Sequence, residues 1–393
     1  MNRQTALALA TLLLTAGCGS SSKTPPPALE PPTARVTPLA AIGDGEGQLN
    51  LIAVQGYVDP AWSAAFQRSN PKCKLNVKYA RSPQEVTVLM KDGGSGQWDM
   101  VAASGVVGLG LIYGGDVQPM NTALIPDWKN FEPTFQNPSF NTVRGVHYGI
   151  SLQWGPNTLL FNTRKFPNAP TSWDVIYDPG NKGLITVPDD PIQIADAALY
   201  LSKTQPKLGI TDPYELTRKQ FDAAVGLLKD QQLLVKRYWA TPTDEIELFD
   251  SGVVLAGSGS SYQAVQLALS GAPVADTVPA EGVTGWADSW MLATKAAHPN
   301  CAYMWAAFVS TPKVQALQAL AYGEAPVNPK ACAQMEALQS GSCGRYHANA
   351  ASSYFDAIRF WRTPLATCDD GTSSCVPYDV WTSAWATIKA PAR

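Results

Sequence analysis

An α/β protein built in two lobes around a mostly parallel sheet is the fold class this sequence predicts. Three observations carry that expectation. Strand-like and helix-like segments alternate along the chain, the alternation restarts near residue 147, and 393 residues exceed what one hydrophobic core organises.

The first strand is expected at Leu49–Val54, a short apolar run. A helix follows, with Asp59 as N-cap and Pro60 at its first position. Lys74–Tyr79 alternates polar and apolar residues and reads as a strand. Ser82-Pro83-Gln84-Glu85 is a capping box that opens the next helix, and Asp92-Gly93-Gly94 closes it. Trp98–Ala103 is the third strand, with a helix starting at Gly105.

In the second run, His147–Trp154 and Thr158–Asn162 read as strands linked by Gly155-Pro156. Gly183–Val187 is another strand, ahead of a helix over Ile192–Leu201. Asp212–Lys229, Leu233–Tyr238, Thr243–Asp250, Val253–Ala256 and Tyr262–Leu269 continue the alternation. Trp286–Ala293 is a strand, Cys301–Val309 and Lys313–Tyr322 are helical, and an amphipathic helix runs over Tyr378–Lys389. No internal repeat is present, and no later apolar run reaches the roughly 18 residues of a membrane helix.

The formal net charge is −3, only 16% of residues are charged, and no basic block stands out, which argues against a nucleic-acid partner. Twelve Trp and 14 Tyr mark a folded, aromatic-rich chain.

The N-terminus bears on the compartment. Arg3 precedes a short apolar run, Ala6–Ala16, which ends at Thr15-Ala16-Gly17-Cys18. This is a signal peptide, residues 1–18, too short to span a bilayer as a mature helix. Its small residues before a lone Cys resemble the bacterial lipobox, which implies cleavage before Cys18 and acylation there. Thr15 stands where an aliphatic residue is preferred, and an ordinary secretory peptide with an incidental Cys is the alternative. Residues 19–47 are rich in Ser, Pro and Gly and read as a semi-extended tether.

The other six Cys form an even set suited to disulfides. Cys368 and Cys375 bracket a flexible loop, Cys332 and Cys343 are a second local candidate, and Cys73 would remain for Cys301. Zinc is the rival reading, but no CxxC pair exists, and His147, His298 and His347 are scattered. No metal and no cofactor are expected.

The stretch Gly285-Trp286-Ala287-Asp288-Ser289-Trp290 is the most informative for chemistry. In a strand, residues two apart share a face, so Trp286, Asp288 and Trp290 can line one surface. A carboxylate among indoles suits an organic ammonium. The alternative is a core strand with packed tryptophans. Asp190 follows a strand end, where ligands of open sheets gather, or else simply caps the next helix. Tyr57 and Ser104 occupy equivalent strand-end positions. The sequence lacks a GxSxG elbow, an HExxH motif and a P-loop, so an enzyme is not expected.

Taken together, these residues resemble the spermidine/putrescine-binding proteins of bacterial ABC importers, from about Leu49 to the C-terminus. The resemblance is carried by Gly56-Tyr57-Val58-Asp59-Pro60, Gln97-Trp98-Asp99-Met100-Val101 and Trp154-Gly155-Pro156-Asn157-Thr158. Thr171-Ser172-Trp173-Asp174, Lys182-Gly183-Leu184-Ile185, Asp189-Asp190 and Trp286-Ala287-Asp288-Ser289 extend it. It implies a two-lobed periplasmic-binding-protein fold of type II-like topology, with a ligand cleft between lobes joined by a hinge. Lobe 1 would hold 48–156 and 288–342, and lobe 2 would hold 157–287 and 343–393. A Cys73–Cys301 bridge would then lie within one lobe.

By the same resemblance, Tyr57, Ser104, Asp190, Trp286 and Asp288 stand at ligand-contacting positions. An acid expected before Tyr57 is Gly56 here, and another expected three residues after Asp190 is Gln193. The aromatic wall expected near Ser258–Ser260 is replaced by small residues. Glu324 lies in a segment that usually reads Gly-Tyr-Pro, and Arg362 stands near a position where a neutral amide is usual. Fewer acids argue against a long polyamine, since each buried ammonium needs a partner. Two cargoes remain: a diamine held by Asp190 and Asp288, or an amino-acid-like zwitterion whose carboxylate Arg362 grips. Arg362 could instead pair with Asp356 or Glu324.

The expected protein is thus a monomeric, lipid-anchored, extracytoplasmic receptor that hands a small amine to an ABC permease and its ATPase. The alternative is a sensing lipoprotein for another solute, such as thiamine, a phosphonate or a metal, that signals to a partner.

Overall fold

The computed structural model describes residues 29–390. The signal peptide, Cys18 and the first part of the expected tether lie outside the described residues. In chain order the strands are β1 (Gly47–Ala53), β2 (Cys73–Tyr79), β3 (Met100–Ser104), the short pair β4 (Thr142–Val143) and β5 (Val146–His147), and β6 (Gly149–Asn162). They continue as β7 (Ile185–Pro188), β8 (Val235–Trp239), β9 (Ala256–Ser260), β10 (Val274–Thr277), β11 (Val283–Leu292), β12 (Ala325–Pro326) and β13 (Ile358–Phe360).

The main sheet runs β2-β1-β3-β11-β6-β9-β7-β8. Two parallel triplets, β2-β1-β3 and β9-β7-β8, lie at its ends. Between them run the two longest strands, paired antiparallel. β6 pairs with β11 over its first part and with β9 from Asn157 onward. β11 pairs with β3 over Asp288–Leu292. The fold is the expected α/β, two-lobed one, but its sheet is mixed rather than mostly parallel, because β6 and β11 cross from one half to the other and pair antiparallel with each other, with β3 and with β9.

Helices cover both triplets. Beside β1, the Pro60–Ser69 and Pro299–Val309 helices meet through Phe66 and Trp305, whose rings stand edge to face at 5.1 Å, and Trp290 meets Trp305 in the same way at 5.7 Å. In the other half, the helix Arg218–Gln232 packs on Tyr378–Lys389 through Phe221 and Trp381. Bridges join Cys73 to Cys301, Cys332 to Cys343 and Cys368 to Cys375. Among the described residues, no helix is long and apolar enough to cross a membrane, and no group of three or more His, Cys, Asp or Glu is placed to hold a metal.

Three details depart from the sequence reading. Gly155-Pro156 does not interrupt β6. Pro156 sits where the strand changes partners, opposite Gly285, so its missing N–H disrupts little of the ladder. The strand expected at Val253–Ala256 instead occupies Ala256–Ser260 (Ala-Gly-Ser-Gly-Ser), a composition with no strand propensity. Finally, residues 29–46 do not extend away as a tether but lie along the first half. There Pro31 and Thr33 are buried, Thr33 Oγ1 donates to Val117 O (2.8 Å), and Asn121 donates to Leu39 O (3.1 Å). Leu39 and Ile42 pack on the core, and Glu46 accepts the N–H groups of Asn300 and Cys301.

Candidate functional site

A cleft of about 620 Å³ opens where the two triplets face each other across β6 and β11. From the first side come Tyr57, Ser104, Tyr322 and Glu324. From the crossing strands come Asn157, Trp286 and Asp288. The second side contributes Trp239, Thr243, Gly259, Ser260, Tyr262 and Gln263. Ligands of open α/β sheets collect at such strand ends.

Asp288 sits on β11 opposite Ser104 of β3 and is only 7% exposed. Tyr57 Oη donates to its Oδ2 at 2.6 Å. Burial raises the Asp288 carboxyl to about 6, against the opposing pull of that hydrogen bond. Tyr57 in turn packs edge to face on Tyr322, with ring centroids 5.4 Å apart. Glu324 shares this corner. Burial first, and the nearby Asp288 charge second, push its carboxyl well above the ordinary range. Its buried Oε2 has no hydrogen-bond partner among the described residues, and neither does Ser104 Oγ. The cleft wall therefore carries two acids with no Lys or Arg among the described residues that line it.

Local sequence explains how these groups fit. A Cβ at Gly155 would lie 2.8 Å from the Trp286 ring, so the missing side chain there gives the indole its seat over β6. Gly56 has a φ of +97°, and a Cβ on it would meet the Tyr322 hydroxyl at 1.3 Å. No acid could stand before Tyr57 in this packing. The Tyr322 hydroxyl donates to Gln55 O at 2.8 Å, which fixes the ring beside Glu324.

The structure brings Tyr57, Ser104, Trp286, Asp288 and Glu324 to one wall and leaves three expected site residues off it. Arg362, 6% exposed, is held by Glu215 (2.6 Å), Asp369 (2.8 Å) and Asp212 (3.3 Å). Trp361 lines the cleft, and alternation along extended chain turns its neighbour Arg362 the other way. The partners suggested by sequence, Asp356 and Glu324, are not the ones it finds. Asp190 caps its own turn, accepting from Ile192 N at 2.9 Å, and its carboxyl is raised to about 6, mainly by burial. Gln193 donates to Asp196 at 2.5 Å and is buried. Trp290 leaves the cleft too: two residues further along β11 than Asp288, it is fully buried and packs on Trp305 in the core.

The sequence reading missed one polar layer. Asn157 donates to Thr284 Oγ1 (2.7 Å), which donates to Asp196 (2.5 Å), whose carboxyl burial raises to about 7. This layer ties β6 and β11 to the helix Gln193–Thr204 behind the cleft. Only the polar residues at 157, 193 and 196 in otherwise apolar surroundings hinted at it.

A family model described as bacterial extracellular solute-binding protein matches residues 61–341. The putrescine/agmatine-binding protein of Pseudomonas aeruginosa is 24% identical over 280 residues, covering 66% of this chain and 72% of that protein. The spermidine/putrescine-binding periplasmic protein of Escherichia coli is 24% identical over 281 residues, covering 70% of this chain and 76% of its own length. Among solved structures, the spermidine/putrescine ABC transporter substrate-binding protein PotD of Streptococcus pneumoniae aligns with a TM-score of 0.66 at 17% identity, over 87% of this chain and 97% of that one. The Tp0655 (TpPotD) lipoprotein of Treponema pallidum aligns with a TM-score of 0.67 at 13% identity, over 87% of this chain and 99% of that one.

Proposed function

Because this chain belongs to the bacterial extracellular solute-binding proteins, we propose that it is the receptor of an ABC importer for a small organic amine, captured in the cleft and handed to a permease. One observation carries this reading: Asp288 and Glu324 share an aromatic wall on which, among the described residues, no Lys or Arg answers them. The Asp288 charge helps to raise the Glu324 pKa, and an ammonium beside them relieves that repulsion. The faces of Trp286 and the tyrosines add cation–π attraction of ~0.5–2 kcal/mol per ring.

The same wall favours a simple amine over a zwitterion. A ligand carboxylate would meet two acids and no counter-ion, because Arg362 is already neutralised by three carboxylates. Glu324 takes over the role of the acid that the resemblance expects before Tyr57. No bond in the ligand is made or broken. Binding favours the closed arrangement by its differential affinity, and the permease reads that arrangement. Lobe boundaries at 48–156 with 288–342, and 157–287 with 343–393, belong to this reading, as does a lipid anchor at Cys18.

A thermal-shift panel of amines, amino acids and metal salts tests the ligand class, since binding to the native state alone raises its melting temperature. Amines are expected to stabilise the protein, and amino acids and metal salts are not. Asp288→Asn is expected to weaken amine binding at least tenfold. An unchanged affinity removes Asp288 from the site and the amine reading with it.

A further inference from the structure

Glu245 lies on the helix Pro242–Asp250, whose first residues, Pro242 and Thr243, line the cleft. Its side chain turns inward and is 0% exposed, and neither carboxyl oxygen has a hydrogen-bond partner among the described residues. Buried carboxyls that serve structure alone are paired. Arg237 of β8 holds the neighbouring Asp244 instead.

The glycines of β9 show where the carboxyl points. A Cβ on Gly259 would lie 2.3 Å from Glu245 Oε2, and one on Gly257 would lie 3.1 Å from Oε1. The carboxyl thus fills the volume that side chains at 257 and 259 would take. Gly259, Ser260 and Gln263 line the cleft. Gly259 and the Gln263 side chain, whose Oε1 accepts from Ser260 N at 3.1 Å, therefore stand both at the cleft and against the acid. Burial drives this carboxyl well above the ordinary range, against the opposing pull of the Gln263 side chain.

Resting on the amine reading above, we infer that Glu245 is the second cation pole of the cleft. The ligand is a diamine, with one nitrogen beside Asp288 and Trp286 and the other on the Gly259–Ser260–Gln263 rim over the Glu245 carboxyl. The rim's neutral oxygens accept hydrogen bonds from the second ammonium. The carboxylate beneath supplies the charge. Trp239, Tyr262 and Trp361 line the apolar stretch between the poles.

Calorimetric titration with straight-chain α,ω-diamines of three to six carbons, each matched by its monoamine, tests this. Wild-type protein should prefer the best diamine over its monoamine by at least tenfold. Glu245→Gln, which keeps shape and removes a buried acid, should lower diamine affinity at least tenfold and change monoamine affinity less than twofold. Gly259→Ala, which drives a methyl group into the carboxyl, should show the same selective loss. If Glu245→Gln retains the diamine preference while monoamines still bind, Glu245 is not a pole, although the amine reading stands. If neither amine type binds wild-type protein, both fall.

Discussion

Replacing Asp288 with Asn in ligand-free protein should make the fold more stable while destroying its affinity for amines. The carboxyl moves from an ordinary 3.8 to about 6 on folding, because burial disfavours its charged form. That shift corresponds to roughly 3 kcal/mol of destabilisation once the group is ionised. Asn removes the charge and still accepts from the Tyr57 hydroxyl, so about 1 kcal/mol of hydrogen-bond strength is lost. The net gain at pH 7 is therefore about 2 kcal/mol, a melting-point rise of roughly 2–3 °C for a protein of this size.

The direction of the pH dependence follows from the raised pKa. The wild-type acid contributes its full stability below about pH 4 and loses it as pH rises through about 6. The advantage of Asp288→Asn should thus vanish near pH 4 and be complete by pH 7. Denaturant melts of ligand-stripped wild type and variant across that range measure it. A variant less stable than wild type at pH 7, or one whose advantage ignores pH, would show that Asp288 is a structural acid and refute the reasoning.

Arg362→Ala should cost about 2–4 kcal/mol in denaturant unfolding, because three carboxylates lose their shared cation, while amine affinity measured by calorimetry moves less than threefold. A tenfold loss of affinity would return Arg362 to the cleft. Cells expressing the full chain should incorporate labelled palmitate, and Cys18→Ser should abolish the label; labelling that survives the substitution would rule out the anchor.

Much of the fold was legible because its signals are local. The Asp59-Pro60 and Ser82–Glu85 helix starts appear as the sequence reading has them. The alternation in Trp286–Asp288 correctly put both residues on one face, whereas Trp290 escaped because the helix that buries it, through Trp305, lies outside its local sequence. What stayed hidden depends on distant residues. The carboxylates that capture Arg362 come from positions 212, 215 and 369, and nothing around Arg362 announces them. Glu245 reads locally as an acid in a helix's first turn, a favourable place for charge. Only the spaced glycines at 257 and 259, themselves in a segment that does not look like a strand, hint that something fills the space beside them.

β11 also constrains the order in which the molecule can be assembled. It lies between β3 and β6, yet it follows both in the chain by more than a hundred residues. A polypeptide emerging N-terminus first therefore carries the β2-β1-β3 triplet with a bare edge until Asp288–Leu292 have emerged. The Cys73–Cys301 bridge, 228 residues apart in sequence, must wait still longer. Such late, non-local closure makes for slow folding, and the emerging N-terminal portion is the stage most in need of a chaperone's cover.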